Sequence, residues 1–171
     1  MKTFILLLLA CLVAPFLSFT GKKPDSYSFY IVRHAEKGSS TTQPTDPPLS
    51  AEGGERAQAL RDLLLDKKVQ VIYATPTQRA MSTAGPLSEA LKVSIENYGP
   101  FPDAAFVEKL RSAKKSALIV GHSNTVDDIV NALAGEAKIS DLPDNAYDNL
   151  YIVTYEGDKV SFEARKYGKG Q

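Results

Sequence analysis

Tyr27-Ser28-Phe29-Tyr30-Ile31-Val32-Arg33-His34-Ala35-Glu36 runs from an apolar segment of strand length into charge within one residue. Such a run reads as a buried strand whose carboxyl end carries functional groups. The pattern recurs at Ala117-Leu118-Ile119-Val120-Gly121-His122-Ser123-Asn124-Thr125, and His34 and His122 are the chain's two histidines. A third apolar run, Val69-Gln70-Val71-Ile72-Tyr73-Ala74, is followed closely by Arg79. In an open α/β sheet, ligands bind in the crevice outside the carboxyl ends of the strands. Three strand ends therefore deliver two imidazoles and two guanidiniums to one cleft, a cluster that suits a phosphate.

The segments between these runs read as helices. Ser50 is an N-cap for a helix to about Asp66, with Ala57, Leu60 and Leu64 on its apolar face. Gly53 and Gly54 weaken its first turn, each by about 1 kcal/mol relative to Ala. Thr75-Pro76-Thr77-Gln78 predicts the next helix start: Thr75 as cap, Pro76 in the first position and Gln78 closing a capping box. Pro86 is expected to kink or restart that helix before Leu87 and Leu91. Val93-Ser94-Ile95 begins a third strand, Asp103 caps a helix over 104–113, and Ser116 to Val120 is the fourth strand. A helix from about Thr125 to Ala134 ends at Gly135. Leu150 to Tyr155 and Lys159 to Ala164 form a hairpin around Gly157-Asp158. The alternation predicts an α/β fold, a three-layer αβα arrangement with a mostly parallel central sheet and an antiparallel edge hairpin.

The chain has 171 residues, of which 43% are apolar, enough for one packed domain. Its 20 basic and 20 acidic residues cancel, with no long basic run, which argues against nucleic acid as a partner. Lys2 followed by an apolar stretch reads as a signal peptide over residues 1–20, and residues 21–26 as a linker to a domain over 27–171. The stretch falls short of the ~20 apolar residues of a spanning helix. Leu8-Leu9-Ala10-Cys11 resembles a bacterial lipoprotein signal, although Leu9 is bulky where such signals carry a small residue. The expectation is export to the periplasm or cell envelope, with possible membrane attachment through lipidated Cys11. Even charge and the absence of a heptad repeat make a monomer the default.

Taken singly, each candidate residue has a plain structural alternative. A histidine at a strand-end turn can be held by a backbone bond on one ring nitrogen, leaving the other free to attack. Arg33 beside it offers a planar fork that matches phosphate oxygens. Arg79 falls in the first turn of a helix, where the dipole disfavours a cation by ~0.3–1 kcal/mol and gives a reason to seek an anion nearby. Gly121 permits a tight turn before His122, and the N–H groups of Ser123 and Asn124 lie near a helix start, where an anion is welcome.

Together they resemble the histidine phosphatase superfamily, also called phosphoglycerate mutase-like. Arg33-His34-Ala35-Glu36 resembles its Arg-His-Gly-Glu signature, with Ala in place of Gly. Leu49-Ser50-Ala51-Glu52-Gly53 resembles the segment that opens the first helix. Tyr73 to Ala84 resembles the second arginine segment, and Gly121-His122-Ser123 the second histidine. The resemblance implies that His34 is the nucleophile and that Arg33, Arg79 and His122 form the phosphate pocket, to which the Ser123 N–H at the helix start is a further candidate contact. It implies hydrolysis of a phosphomonoester or phosphoprotein through a phosphohistidine, with no cofactor and no metal.

The departure is the general acid. Family members commonly supply it from a Glu or Asp after the third strand. Here Glu96 and Asp103 are both available, and neither sits in a clear motif. If neither acts, the substrate has a good leaving group, as a phosphohistidine side chain does. Asp127, Asp128 and the Asp148-Asn149 pair read as solvated or capping residues, the last pair at the cleft rim. Three other readings stay open: a phosphate or phosphopeptide binder on the same scaffold, a phosphomutase, and a metal hydrolase built on His34, His122 and nearby carboxylates. Substrate contacts are expected from the Gly38–Pro48 loop and the Tyr98–Asp103 segment, both irregular in sequence.

Overall fold

In the computed structural model, residues 26–169 are described; the leader with Cys11 and most of the linker lie outside them. Six strands, β1 (Ser26–Arg33), β2 (Val71–Ala74), β3 (Ile95–Asn97), β4 (Ala117–Gly121), β5 (Asn149–Glu156) and β6 (Lys159–Lys166), form one sheet in the order β3-β2-β4-β1-β5-β6. The first four are parallel, and β5 and β6 run antiparallel beside β1. The helices are α1 (Ala51–Leu64), α2 (Gln78–Leu91), α3 (Ala104–Ala113) and α4 (Val126–Ala134).

Strand alternation builds the three layers. Phe29, Ile31 and Ile119 face one side of the sheet, where they pack with Val107 and Leu110 of α3 and Ile129 and Leu133 of α4. Tyr30, Val32, Leu118 and Val120 face the other, against Leu60 and Leu64 of α1 and Ala84 and Leu87 of α2. Each fully buried Leu or Ile contributes ~1.5–3 kcal/mol, so both faces are held independently of any single contact. Because β1 and β4 are buried on both faces, they read as near-continuous apolar runs.

The pairing register sets the site. Arg33 at the end of β1 lies level with Gly121 at the end of β4, and Ala74 at the end of β2 lies level with Val120. Three neighbouring strands therefore stop within a residue of one another.

Several boundaries differ from the sequence expectation. The cap of α2 is Thr77, whose hydroxyl accepts from the Ala80 N–H, and Pro76 lies ahead of it. The Thr75 hydroxyl is engaged elsewhere, with His122. Pro86 neither breaks nor restarts α2. Ala80, Thr83 and Ala84 before it and Leu87 after it are all buried, and that burial outweighs the bond the proline removes. Strand β2 starts at Val71 because Gln70 and Val71 both donate to the Ser116 carbonyl as the chain enters the sheet. Val93 stays outside β3 because its N–H and carbonyl are both bonded to Ser88 at the end of α2. Gly53 is no simple weakness in α1, since a Cβ there would overlap the Glu36 carbonyl oxygen.

Candidate active site

His34 is the first residue after β1, and its backbone N–H donates to the Gly121 carbonyl at 2.9 Å. Its Nδ1 lies 2.8 Å from the Ala35 carbonyl oxygen. That oxygen can only accept, so Nδ1 carries the ring proton and Nε2 keeps its lone pair. The next N–H, of Ala35, donates at 2.9 Å to Thr83 Oγ1, which in turn donates to the Arg79 carbonyl at 2.7 Å. Thr83 thus joins the turn after β1 to the first turns of α2.

His122 occupies the matching position after β4. Its ring centroid is 5.4 Å from that of His34, at 65°. Thr75, one residue past β2, places Oγ1 2.9 Å from His122 Nε2. A Cβ on Gly121 would stand 2.9 Å from the Tyr98 hydroxyl and 3.2 Å from Thr125 Oγ1, so a larger residue there would have to push both side chains aside. Ser123 follows in the same turn, and its carbonyl accepts from the Leu142 N–H at 2.9 Å.

Both arginines are held by loops. Arg33 Nη1 donates to the carbonyls of Pro143 (2.9 Å) and Asp144 (3.0 Å), and its guanidinium carbon stands 4.2 Å from the centre of the Tyr147 ring. Arg79 Nη1 pairs with Asp46 Oδ1 at 3.0 Å. In each guanidinium the Nε is buried with no hydrogen-bond partner among the described residues. An orphaned charged donor is costly, and two of them beside a pair of imidazoles make a site for an anion.

The electrostatics keep both rings neutral. Burial is the largest cause lowering the His34 pKa to about 3, and the charges of Arg79, His122 and Arg33 add to it against the Ala35 bond. His122 is lowered to about 4, again first by burial and then by Arg79 and Arg33, with Asp46 opposing. Desolvation therefore outranks the guanidiniums as the cause of a neutral His34 ring.

The carboxylates after β3 are committed to structure. Glu96 is exposed and paired with Lys109 at 2.8 Å, and Asp103 caps α3 through the Phe106 N–H at 2.8 Å. Tyr98, expected at the substrate, is a core residue that donates to the Val120 carbonyl at 3.1 Å and stacks on Phe106. Asp148 binds Lys166 at 2.7 Å, while Asp127 and Asp128 lie in the first turn of α4. Among the described residues no three or more His, Cys, Asp and Glu side chains gather as a metal site.

Four residues at the site were not singled out for it in the sequence: Asp46, within the Gly38–Pro48 loop expected to meet substrate; Thr75, read as a helix cap; Thr83; and Tyr147. Tyr147 had one signal, a lone aromatic ring in a polar loop just before β5. Glu36, the last residue of the motif, holds Arg56 of α1 through Nε at 2.7 and 2.9 Å, and Arg56 also donates to the Tyr167 carbonyl at 2.8 Å. Its role is to fix α1 against the turn after β1.

Residues 29–99 match the profile of the histidine phosphatase superfamily (branch 1). The fold agrees with a protein histidine phosphatase SixA solved with tungstate, at TM-score 0.65 and 17% identity over 81% of this chain and 96% of that one. The profile match covers the chain from β1 to just past β3. Another solved fold that it resembles is a mycobacterial glucosyl-3-phosphoglycerate phosphatase (TM-score 0.59, 12% identity, 84% and 99% covered). A phosphoglycerate mutase from Bacillus anthracis superposes at TM-score 0.56 with 14% identity, covering 84% and 94%. In sequence, the uncharacterized protein Rv0525 of Mycobacterium tuberculosis is 31% identical over 77 residues, 43% of this chain. That match spans 38% of the relative's length, so it carries no whole-protein activity.

Proposed function

We propose that the protein is a metal-independent phosphatase that hydrolyses a phosphomonoester or phosphoprotein through a phosphohistidine on His34. The observation that carries this reading is the unprotonated Nε2 of His34 beside His122, flanked by two guanidiniums whose Nε donors are buried and unpaired. In the first step Nε2 attacks phosphorus in line with the leaving group. The P–N bond forms, and the bond from phosphorus to the leaving group breaks with its electron pair. Arg33, Arg79 and His122 hold the equatorial oxygens as charge redistributes, with the Ser123 N–H available at the same turn. Water then attacks phosphorus, the P–N bond breaks, and inorganic phosphate leaves.

A substrate with a good leaving group fits best, because both carboxylates after β3 are engaged in structural bonds. Phosphorylated histidine on a protein meets that requirement. The SixA neighbour, named as a protein histidine phosphatase, supports the same class. The leader-like N-terminus supports a cell-envelope location for this activity, with attachment through Cys11.

The test is a panel of an aryl phosphate, alkyl and sugar phosphates and a phosphohistidine peptide, assayed with wild type and His34→Ala, with and without chelator. Turnover should persist in chelator, be inhibited by vanadate, vanish in His34→Ala and favour phosphohistidine over alkyl esters. Tight phosphate binding without turnover would make the protein a binder instead. Loss of turnover on chelation would revive the metal hydrolase.

A further inference from the structure

Asp46 belongs to the loop between β1 and α1, within the Gly38–Pro48 segment expected to meet substrate, and no motif singles it out there. We propose that Asp46 is a positioning residue for phosphate binding, which sets the orientation in which Arg79 meets the phosphoryl group. The inference rests on the phosphatase reading of the same cleft.

The two Asp46 carboxylate oxygens accept from the Gln78 N–H at 3.1 and 2.9 Å, and Oδ1 also accepts from Arg79 Nη1 at 3.0 Å. Gln78 opens α2, so the carboxylate sits at the positive end of a helix whose first turn also carries Arg79. A cation in that turn is disfavoured, and Asp46 is the anion that offsets it. With Nη1 fixed by Asp46 and the backbone carbonyl fixed by Thr83, the guanidinium has one plane available to it. Its Nε is then buried and unpartnered, ready for a phosphate oxygen. Both oxygens of Asp46 serve as acceptors toward Gln78 and Arg79, and neither is left to hand a proton to a leaving group.

The loop that carries Asp46 is itself ordered by internal bonds. The Gly38 N–H donates to the Pro48 carbonyl at 2.8 Å, and Lys37 bridges Leu49, closing the base. Asp46 N–H donates to Gln43 O at 3.2 Å, and the Gln43 side chain bonds that of Gln78. The loop therefore grips the first turn of α2 at two points. This explains how a long segment without periodicity delivers a carboxylate accurately.

The test measures inorganic phosphate binding by calorimetry, and KM and kcat on an aryl phosphate, for Asp46→Ala, Asp46→Asn, Arg79→Ala and the double variant Asp46→Ala/Arg79→Ala. Asp46→Ala should raise KM and the phosphate Kd about tenfold, the scale of one lost charge-assisted bond, with a smaller change in kcat. Added to Arg79→Ala, it should change either constant by less than about twofold, because its effect passes through that arginine. Asp46→Asn, which keeps an oxygen for the Gln78 N–H, should melt near wild type and still raise KM. An equal loss from Asp46→Ala with and without Arg79 would overturn the inference, since the loop would then act through the fold. If Arg79→Ala leaves phosphate binding unchanged, the phosphatase reading fails; if it weakens binding and Asp46→Ala does not, only the role of Asp46 fails.

Discussion

The strand ends and the loops build the site by different means. His34, His122 and Thr75 are placed by the register of β1, β4 and β2, whose last residues stop side by side. Arg33 and Arg79 start near the same strand ends but are aimed by partners from elsewhere: the Pro143 and Asp144 carbonyls and the Tyr147 ring for one, Asp46 for the other. Imidazole geometry is thus a property of the sheet, and guanidinium geometry a property of two loops. The lesson is that chemistry and affinity can be altered separately in this fold.

Arg79→Ala and Tyr147→Ala separate the two means most widely. Removing Arg79 deletes a phosphate donor outright and should lower kcat/KM about 10²–10³-fold. Removing the Tyr147 ring leaves Arg33 present but looser. The lost cation–π contact, worth ~0.5–2 kcal/mol, should appear as about a 2- to 30-fold rise in KM. Steady-state kinetics on an aryl phosphate distinguish them; equal effects on kcat would break the distinction between a donor and its support.

Adjacent glycines in α1 sharpen the comparison through stability. Gly53→Ala drives a methyl group into the Glu36 carbonyl in the turn after β1 and should destabilise by about 1–3 kcal/mol. At Gly54 a Cβ meets nothing within 4 Å, and Gly54→Ala should stabilise by about 0.5–1 kcal/mol through helix propensity. Denaturant melts give both values. The same sign at both sites would mean that α1 does not press on the turn after β1.

The smallest effect is an absence of titration. Because the chain has two histidines, ring-proton NMR reads His34 and His122 directly. With folded values lowered to about 3 and about 4, neither should titrate between pH 5 and 8. Both folded values lie below the unfolded value near 6.5, so the unfolded chain binds more protons in the interval between. Their contribution to stability is therefore complete above pH 6.5 and declines as pH falls toward 4. A ring titrating near 6.5 would show that its strand end is open to water.

Legibility in the sequence follows the same division. The runs Phe29–Val32 and Ala117–Val120 are apolar on every residue because their strands are covered on both faces, so strand ends and histidines could be read together. The caps Ser50 and Asp103 and the stop at Gly135 were equally plain, being local chemistry. Thr75 was misassigned because a threonine ahead of a proline fits a cap as well as it fits a ring partner. Asp46 and Tyr147 were illegible because their partners lie 33 and 114 residues away, at Arg79 and Arg33, with no periodicity to connect them. Glu36 was read as part of a motif, but its bond to Arg56 emerges only when α1 is docked.

The most direct measurement is to quench the enzyme during turnover of a phosphorus-labelled aryl phosphate and locate the bound phosphoryl group by mass spectrometry. The strand-register account predicts an acid-labile phosphoryl group on His34, absent from His34→Ala. A phosphoryl group on His122, or undiminished turnover by His34→Ala, would contradict it.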